Sequence, residues 1–154
     1  MVDTGVFMRF LGERPEEPVS RECVKFCQAM CSTGRELFVA APTIAELMRQ
    51  RGQPIPHVKG ITVVAFDERA ATILGLRMPM AKLHAVKTST GLSHTYLKYD
   101  AMIAACALRC NASTMVAIDG DHVALLRDLA VAVRHPKDFL DKQGRFAFED
   151  EASD

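Results

Sequence analysis

Short apolar runs alternate with segments of helical periodicity along most of the chain. Runs of apolar residues predict strands at 36–41, 61–66, 114–118 and 131–133. Apolar residues three and four positions apart predict helices at 5–11, 18–30, 42–50, 68–76, 95–110 and 121–129. Strands that alternate with helices in this way favour right-handed βαβ units and a parallel sheet covered by helices on both faces. We therefore predict an α/β fold.

The segment 77–93 carries no firm periodicity. It combines two lysines with the polar run Thr-Ser-Thr-Gly at 88–91, so we predict that it is partly loop and mobile. The acidic residues at the end of the chain predict a solvated tail at 141–154. No internal repeat or linker divides the rest, so residues 1–140 are predicted to form one domain.

The composition is that of a globular chain without a membrane span. Hydrophobic residues make up 49% of the 154 positions and charged residues 25%. The longest apolar runs fall far short of the roughly 20 residues that a spanning helix needs. The opening Met-Val-Asp-Thr-Gly lacks the features of a secretory signal, and an odd number of cysteines, five, suits free thiols in a reducing compartment. We expect a soluble, cytoplasmic protein that does not associate with membranes.

Three acidic residues lie close behind predicted strands. Asp3 follows the only two residues available for a first strand, Asp119 directly follows another strand, and Glu46 lies in the helix after a third. In parallel sheets, ligands bind outside the carboxyl ends of the strands. Each acid also has a structural interpretation, since Asp3 and Asp119 suit helix or turn caps and Thr43 with Glu46 has the spacing of a capping box.

Asp100 lies on the face of its predicted helix that would be buried. Counting helical steps from it gives Ile103, Ala104, Ala107 and Leu108, all of them apolar. Burial of an unpaired charge costs free energy, so the carboxylate requires a partner. That partner is either a buried arginine or lysine, or a site shared with the other acids.

The four acids together predict a divalent-metal site. Carboxylates that converge repel one another unless a cation or protons lie between them. Oxygen ligands of this kind suit Mg²⁺ or Mn²⁺, and such an ion both polarises a phosphate and generates hydroxide near neutral pH. This chemistry points to the hydrolysis of phosphodiester bonds.

Four segments, in this order, resemble the motifs of PIN-domain nucleases. They are Asp-Thr-Gly-Val-Phe at 3–7, Pro-Thr-Ile-Ala-Glu-Leu at 42–47, Lys-Tyr-Asp-Ala-Met-Ile-Ala-Ala at 98–105 and Met-Val-Ala-Ile-Asp-Gly-Asp at 115–121. The third segment is the most specific of them. In size and pattern the chain is most similar to VapC-type toxins, the ribonucleases of bacterial toxin–antitoxin pairs. Gly5 stands where that family usually has asparagine.

The resemblance implies a fold, an activity and partners. The fold would be a three-layer α/β/α sandwich with a central parallel sheet, and the activity that of a Mg²⁺- or Mn²⁺-dependent endoribonuclease acting on RNA. The implied partners are a cognate antitoxin protein and a second copy of the chain in a homodimer. Thr4 would hold the first acid or a water by its hydroxyl. Carried over by position, the metal-binding and catalytic acids are Asp3, Glu46, Asp100 and Asp119, with Asp121 as a further metal ligand.

Basic residues lie in the chain just before Asp100. We assign Lys87, His94 and Lys98, together with Thr4, to substrate binding, and the alternative is that the basic residues are ordinary solvated side chains. The formal net charge is zero, from 19 basic and 19 acidic residues, so no overall positive field indicates nucleic acid. Aromatic residues make up 6% of the chain and tryptophan is absent, so RNA recognition is expected to rest on shape and backbone contacts.

Two other functions remain open. The run at 116–123 also resembles the nucleophile motif of haloacid-dehalogenase-type phosphatases, although only 33 residues follow Asp121, too few for the remaining parts of that site. The second alternative is a catalytically inactive PIN-like binding module whose acids merely cap helices.

Cysteine and histidine spacing does not favour a second metal site. Cys23, Cys27 and Cys31 recur every four residues in an apolar stripe, which favours packing in the core over binding of zinc. The histidines show no H-x-x-x-H spacing, so no histidine metal site is expected.

Overall fold

The computed structural model describes residues 1–91 and 93–140, apart from the side chains of His94 and Asp121. The predicted tail at 141–154 lies outside the described residues. The elements, in chain order, are α1 (Thr4–Phe10), α2 (Pro18–Ser32), β1 (Leu37–Ala40), α3 (Ala41–Arg51), β2 (Ile61–Val64), α4 (Glu68–Arg77), α5 (Met80–Thr90), α6 (His94–Arg109), β3 (Thr114–Val116), α7 (Asp121–Leu126), β4 (Ala132–Arg134) and a 3-10 helix (Pro136–Phe139). The predicted mixture of helices and short parallel strands is confirmed. Within the described ranges, no helix combines the length and the apolar character that crossing a bilayer requires.

The strands are short, parallel and joined through the N-terminus. β1 pairs with β2, and β3 pairs with β4. Val2 bridges the two pairs, because it forms parallel bridges with both Val39 and Val116. The N–H of Val2 donates to the carbonyl of Phe38, and the N–H of Asp3 donates to the carbonyl of Val116, each at 2.9 Å. Asp3 is thereby fixed between the carboxyl ends of β1 and β3.

Alternate residues of β1 belong to two different hydrophobic clusters. Leu37 and Val39 pack in a cluster with residues of α1 and α2, whereas Phe38 and Ala40 pack in a cluster with residues of α4, α5, α6 and α7. Successive side chains of a strand point to opposite faces of a sheet. The burial of apolar area on both faces of β1 therefore holds helices on either side of it.

The segment 77–93, predicted to be partly loop, is mostly helix, and the non-helical residues that the structure describes are 78–79, 91 and 93. Of the side chains of α5, Leu83 and Val86 are buried, which is too sparse an apolar stripe to indicate a helix in the sequence. At the polar end of this helix, hydroxyl groups donate to carbonyls about one turn earlier, so these side chains find their partners within the helix. The Oγ1 of Thr90, for example, donates to the carbonyl of Val86 at 2.8 Å.

The cysteines of α2 lie where core packing predicts. Cys23 and Cys27 are buried in the cluster that also contains α1, and Cys31 is half-buried. Burial raises the pKa of the Cys23 thiol to about 11. The interpretation of Cys23 and Cys27 as core residues is therefore confirmed.

Candidate functional site

Asp3 lies between the short N-terminal bridge and the start of α1. Its carboxylate caps the helix, because Oδ2 accepts a hydrogen bond from the N–H of Gly5 at 3.2 Å. The cap interpretation of Asp3 is therefore confirmed. Asp3 is only 6% exposed, and the cap bond leaves its second carboxylate oxygen to a further partner.

That further partner is the imidazole of His122. Nε2 of His122 lies 3.0 Å from Oδ1 of Asp3, and the histidine is 1% exposed. His122 is the second residue of α7, the helix that follows β3, and this position brings its ring next to Asp3. Its other ring nitrogen, Nδ1, is buried without a hydrogen-bond partner among the described residues, a state that a water or an ion would relieve.

Asp100, in the second turn of α6, completes a cluster that we call the Asp–Asp–His group (Asp3, Asp100 and His122). Oδ1 of Asp100 lies 4.0 Å from Nε2 of His122, and the Asp100 side chain is 21% exposed. One ligand atom from each member lies within 4.8 Å of the others, so the group could hold a metal ion. Ile103 and Ala104, on the same stripe as Asp100, are fully buried.

The charges of the group depend on burial and on one another. Burial alone lowers the pKa of His122, but the hydrogen bond to Asp3 and the charges of Asp3, Asp100 and Asp119 raise that pKa to about 8. Burial alone raises the pKa of Asp3, but the hydrogen bond and the charge of His122 outweigh it, so this pKa lies below its usual range. Without a metal ion, an imidazolium therefore stands beside the two carboxylates near neutral pH.

Two of the spacings within the group match those between the ligands of a divalent cation. Ligands that bind an octahedral ion at about 2.1 Å lie about 3 Å apart when adjacent and about 4 Å apart when opposite. The distances from His122 Nε2 to the two carboxylates are 3.0 and 4.0 Å. Two carboxylates and an imidazole form a mixed set of oxygen and nitrogen ligands, which divalent transition metals accept.

Glu46 lies on α3, where it lines a polar groove between that helix and α6. Thr4 and Thr43 are buried, and the Oγ1 of Thr4 donates to the Oγ1 of Thr43 at 3.2 Å. Glu46 follows Thr43 by about one turn and shares its helix face, but it is not part of the Asp–Asp–His group. The predicted capping box was wrong, because α3 begins at Ala41 after the N-cap Ala40, with no side-chain cap bond.

The two remaining acids follow β3. Asp119 is the third residue after the strand and is exposed, and its negative charge contributes to the raised pKa of His122. The side chain of Asp121 lies outside the described residues. The ligand roles of Asp119 and Asp121 therefore stay predictions.

The two lysines assigned to RNA binding lie on surfaces of α5 and α6 away from the Asp–Asp–His group. Lys98 lines an apolar cavity between α4, α5 and α6, and it lies about 200° around the helix from Asp100. Lys87 is exposed on α5. His94 begins α6, but its side chain is outside the described residues. Contact of these residues with RNA stays a prediction.

His122 is the member of the site that the sequence pattern did not predict. The H-x-x-x-H spacing describes ligands that come from one segment, whereas the fold brings His122 to Asp3 and Asp100 from distant positions in the chain. A signal was present, because a polar side chain opens the otherwise apolar run His-Val-Ala-Leu-Leu at 122–126. This run follows the first residue of the helix that comes after β3, in a region where α/β proteins bind ligands.

A solved structure shares the fold of this chain. The similarity is to a chain in the crystal structure of VapBC2 from Rickettsia felis bound to a DNA fragment from their promoter. The TM-score is 0.57 and the sequence identity 14%, over 88% of this chain and 96% of the other. No model of a known protein family matches the sequence, and no curated protein matches it. At this level of identity the similarity is one of fold, which the chain shares with part of a VapBC assembly.

Proposed function

We propose that this protein is a divalent-metal-dependent endoribonuclease and the toxin of a toxin–antitoxin pair. The observation that carries the proposal is the Asp–Asp–His group, whose ligand atoms lie within 4.8 Å of one another. The group lies where β1 and β3 end, which is where parallel sheets bind ligands. The fold shared with a VapBC2 chain supports the proposal from a separate direction.

In this proposal the Asp–Asp–His group binds Mg²⁺ or Mn²⁺. When bound, the ion polarises the scissile phosphate and supplies hydroxide near neutral pH. Glu46, Asp119 and Asp121 are further acids of the same site, which complete the ligand set or order water. The imidazole favours Mn²⁺ over Mg²⁺, because nitrogen ligands suit transition metals and Mg²⁺ prefers oxygen.

The proposal extends to the substrate and to the protein's assembly. We propose that RNA phosphates are contacted by Lys87, His94 and Lys98. The hydrogen bond between Thr4 and Thr43 holds the first turn of α3 against α1. The VapBC2 structure supports an antitoxin protein as partner. We also propose a homodimer, action in the cytoplasm, and a single sheet between two helix layers, the three-layer α/β/α sandwich.

One observation favours a second candidate, a catalytically inactive binding module. The imidazolium of His122 neutralises Asp3 without any metal ion, so the buried acid also has a purely structural explanation. The two candidates differ in a measurable property, since only the nuclease needs a metal ion at this position.

Cleavage of a short single-stranded RNA tests the proposal. We expect the purified protein to cut it with Mn²⁺ or Mg²⁺ and to stop when EDTA is added. Asp100→Asn, purified in the same way, controls for contaminating nucleases and should be inactive. Cleavage that survives chelation or the substitution would contradict the proposed site. A folded wild type that neither binds metal nor cuts RNA would favour the inactive module.

A further inference from the structure

A polar groove lies between α3 and the first turns of α6. Its volume is about 480 Å³, within the range of ligand sites, and its walls include Glu46 and Arg49 from α3 and Tyr96 and Tyr99 from α6. Nη1 of Arg49 donates to the Oη of Tyr99 at 3.2 Å, which ties the two walls together. Tyr96 is 63% exposed. The groove therefore presents a guanidinium and an accessible aromatic ring side by side.

The residue types of this groove are unusual for the chain. The sequence contains two tyrosines and no tryptophan, and both tyrosines line the groove. An aromatic ring next to a guanidinium binds planar polar rings by stacking and phosphates by charge. The low aromatic content thus does not exclude stacking as a mode of RNA recognition, because these aromatic rings are concentrated in one place.

The groove lies about one helical turn from the Asp–Asp–His group. Tyr96 and Asp100 are four residues apart on α6, and Thr43 and Glu46 are three apart on α3, so each pair shares a helix face. Thr43 in turn bonds to the first residue of α1. A step of four residues along a helix is about 6 Å, a distance that one nucleotide can bridge.

We propose that this groove is a nucleobase subsite for single-stranded RNA, in which a base stacks on Tyr96 while Arg49 binds the adjacent phosphate. The inference rests on the proposed ribonuclease function and adds the place where a base beside the cleaved bond is held. Every base has an aromatic face, so stacking at Tyr96 accepts any of them. The subsite therefore selects unpaired RNA and not a particular sequence.

Equilibrium binding in EDTA tests the subsite without cleavage. The probe is a fluorescein-labelled single-stranded RNA of about ten nucleotides, followed by fluorescence anisotropy. Tyr96→Ala is expected to weaken binding about 5- to 150-fold, whereas Tyr96→Phe, which keeps the ring, should change it by less than about 2-fold. Leu76→Ala removes an exposed apolar side chain of α4 that does not line the groove, and it should leave binding unchanged.

Removal of the bases from the RNA separates stacking from contacts to the backbone. The RNA is compared with a strand of the same length in which every nucleotide is abasic. The abasic strand should bind the wild type more weakly than the RNA does, and Tyr96→Ala should bind the two strands more nearly alike. The plot of log affinity against log salt concentration has a negative slope. Arg49→Ala should make this slope shallower by about 0.7, the value for one phosphate contact on a single strand.

The outcomes for the subsite and for the nuclease are separate. If Tyr96→Ala binds the RNA as tightly as the wild type, or if the wild type binds none, the subsite is wrong whatever the cleavage assay shows. If the wild type cuts no RNA but its binding depends on Tyr96 and on the bases, the nuclease proposal fails. The subsite then stands as the RNA-binding site of an inactive module.

Discussion

Nε2 of His122 lies 3.0 Å from Oδ1 of Asp3, although the two residues are 119 positions apart in the chain. Both are almost fully buried, one at the N-terminal bridge and the other in the helix after β3. A buried carboxylate needs a cation or a donor beside it, and His122 fills that place when no metal ion is bound. In the proposed site, a proton and a metal ion therefore compete for the same nitrogen.

The stability of the metal-free protein should depend on pH through this contact. The pKa of His122 is about 8 in the folded protein against 6.5 for an ordinary histidine. The protonated His122 therefore adds about 2 kcal/mol to the free energy of unfolding below pH 6.5. This stabilisation is lost as the pH rises through about 8. Asp3 has the opposite dependence, at acid pH. Its ionised carboxylate stabilises the folded protein above pH 3.8, and this stabilisation is lost as the pH falls through the lowered pKa of Asp3 in the folded state.

Urea unfolding in EDTA, from about pH 5 to about pH 9, checks this expectation. The free energy of unfolding should decline over the alkaline half of the range in the wild type. His122→Asn, whose side chain does not titrate, is the control and should lack that decline. If the free energy of unfolding varies with pH in the same way in both proteins, His122 is not protonated beside Asp3.

Metal binding should show the opposite trend with pH. A metal ion requires the deprotonated imidazole, so the affinity for Mn²⁺ should rise as the pH approaches about 8. The affinity ratio of Mn²⁺ to Mg²⁺ should fall in His122→Asn, because the nitrogen ligand is lost. Calorimetric titration of both proteins with both ions measures these quantities. An unchanged ratio would exclude the imidazole from the ligand set.

Thiol labelling should follow burial. Burial raises the pKa of Cys23 to about 11 and also raises the pKa of Cys27, and the thiolate is the reactive form. Cys31 and Cys110 are only half-buried. Iodoacetamide should therefore label Cys31 and Cys110 first in the native protein and all five cysteines in urea, as mass spectrometry of peptides would show. Fast native labelling of Cys27 would contradict the packing of α2.

Features that depend on neighbouring residues could be predicted from the sequence. The uncharged run that forms β2 begins at Ile61, as predicted, and ends two residues earlier, at Val64. The cap bond of Asp3 joins residues two positions apart. The buried stripe beyond Asp100 follows from the period of a single helix. In these cases a few adjacent residues determine the result.

Features that depend on distant residues could not be predicted. Thr43 was expected to cap α3, but its hydroxyl is engaged by Thr4, a contact across 39 positions. The approach of His122 to Asp3 and Asp100 depends on the order of the strands and on how α6 and α7 pack. Spacing rules describe one segment at a time, so they give no information on such contacts.

Melting temperatures of wild type and Asp100→Asn, each in EDTA and in Mn²⁺, test metal binding by the Asp–Asp–His group most directly. In EDTA the substitution removes both repulsion from Asp3 and attraction to His122, so the two proteins should melt within about 2–4 °C of each other. At an Mn²⁺ concentration of about 100 times Kd, the wild type should gain about 2.7 kcal/mol, or about 5–10 °C. The variant should gain much less, because it has lost a ligand. Equal gains in the two proteins, or no gain in the wild type, would contradict the proposed metal site.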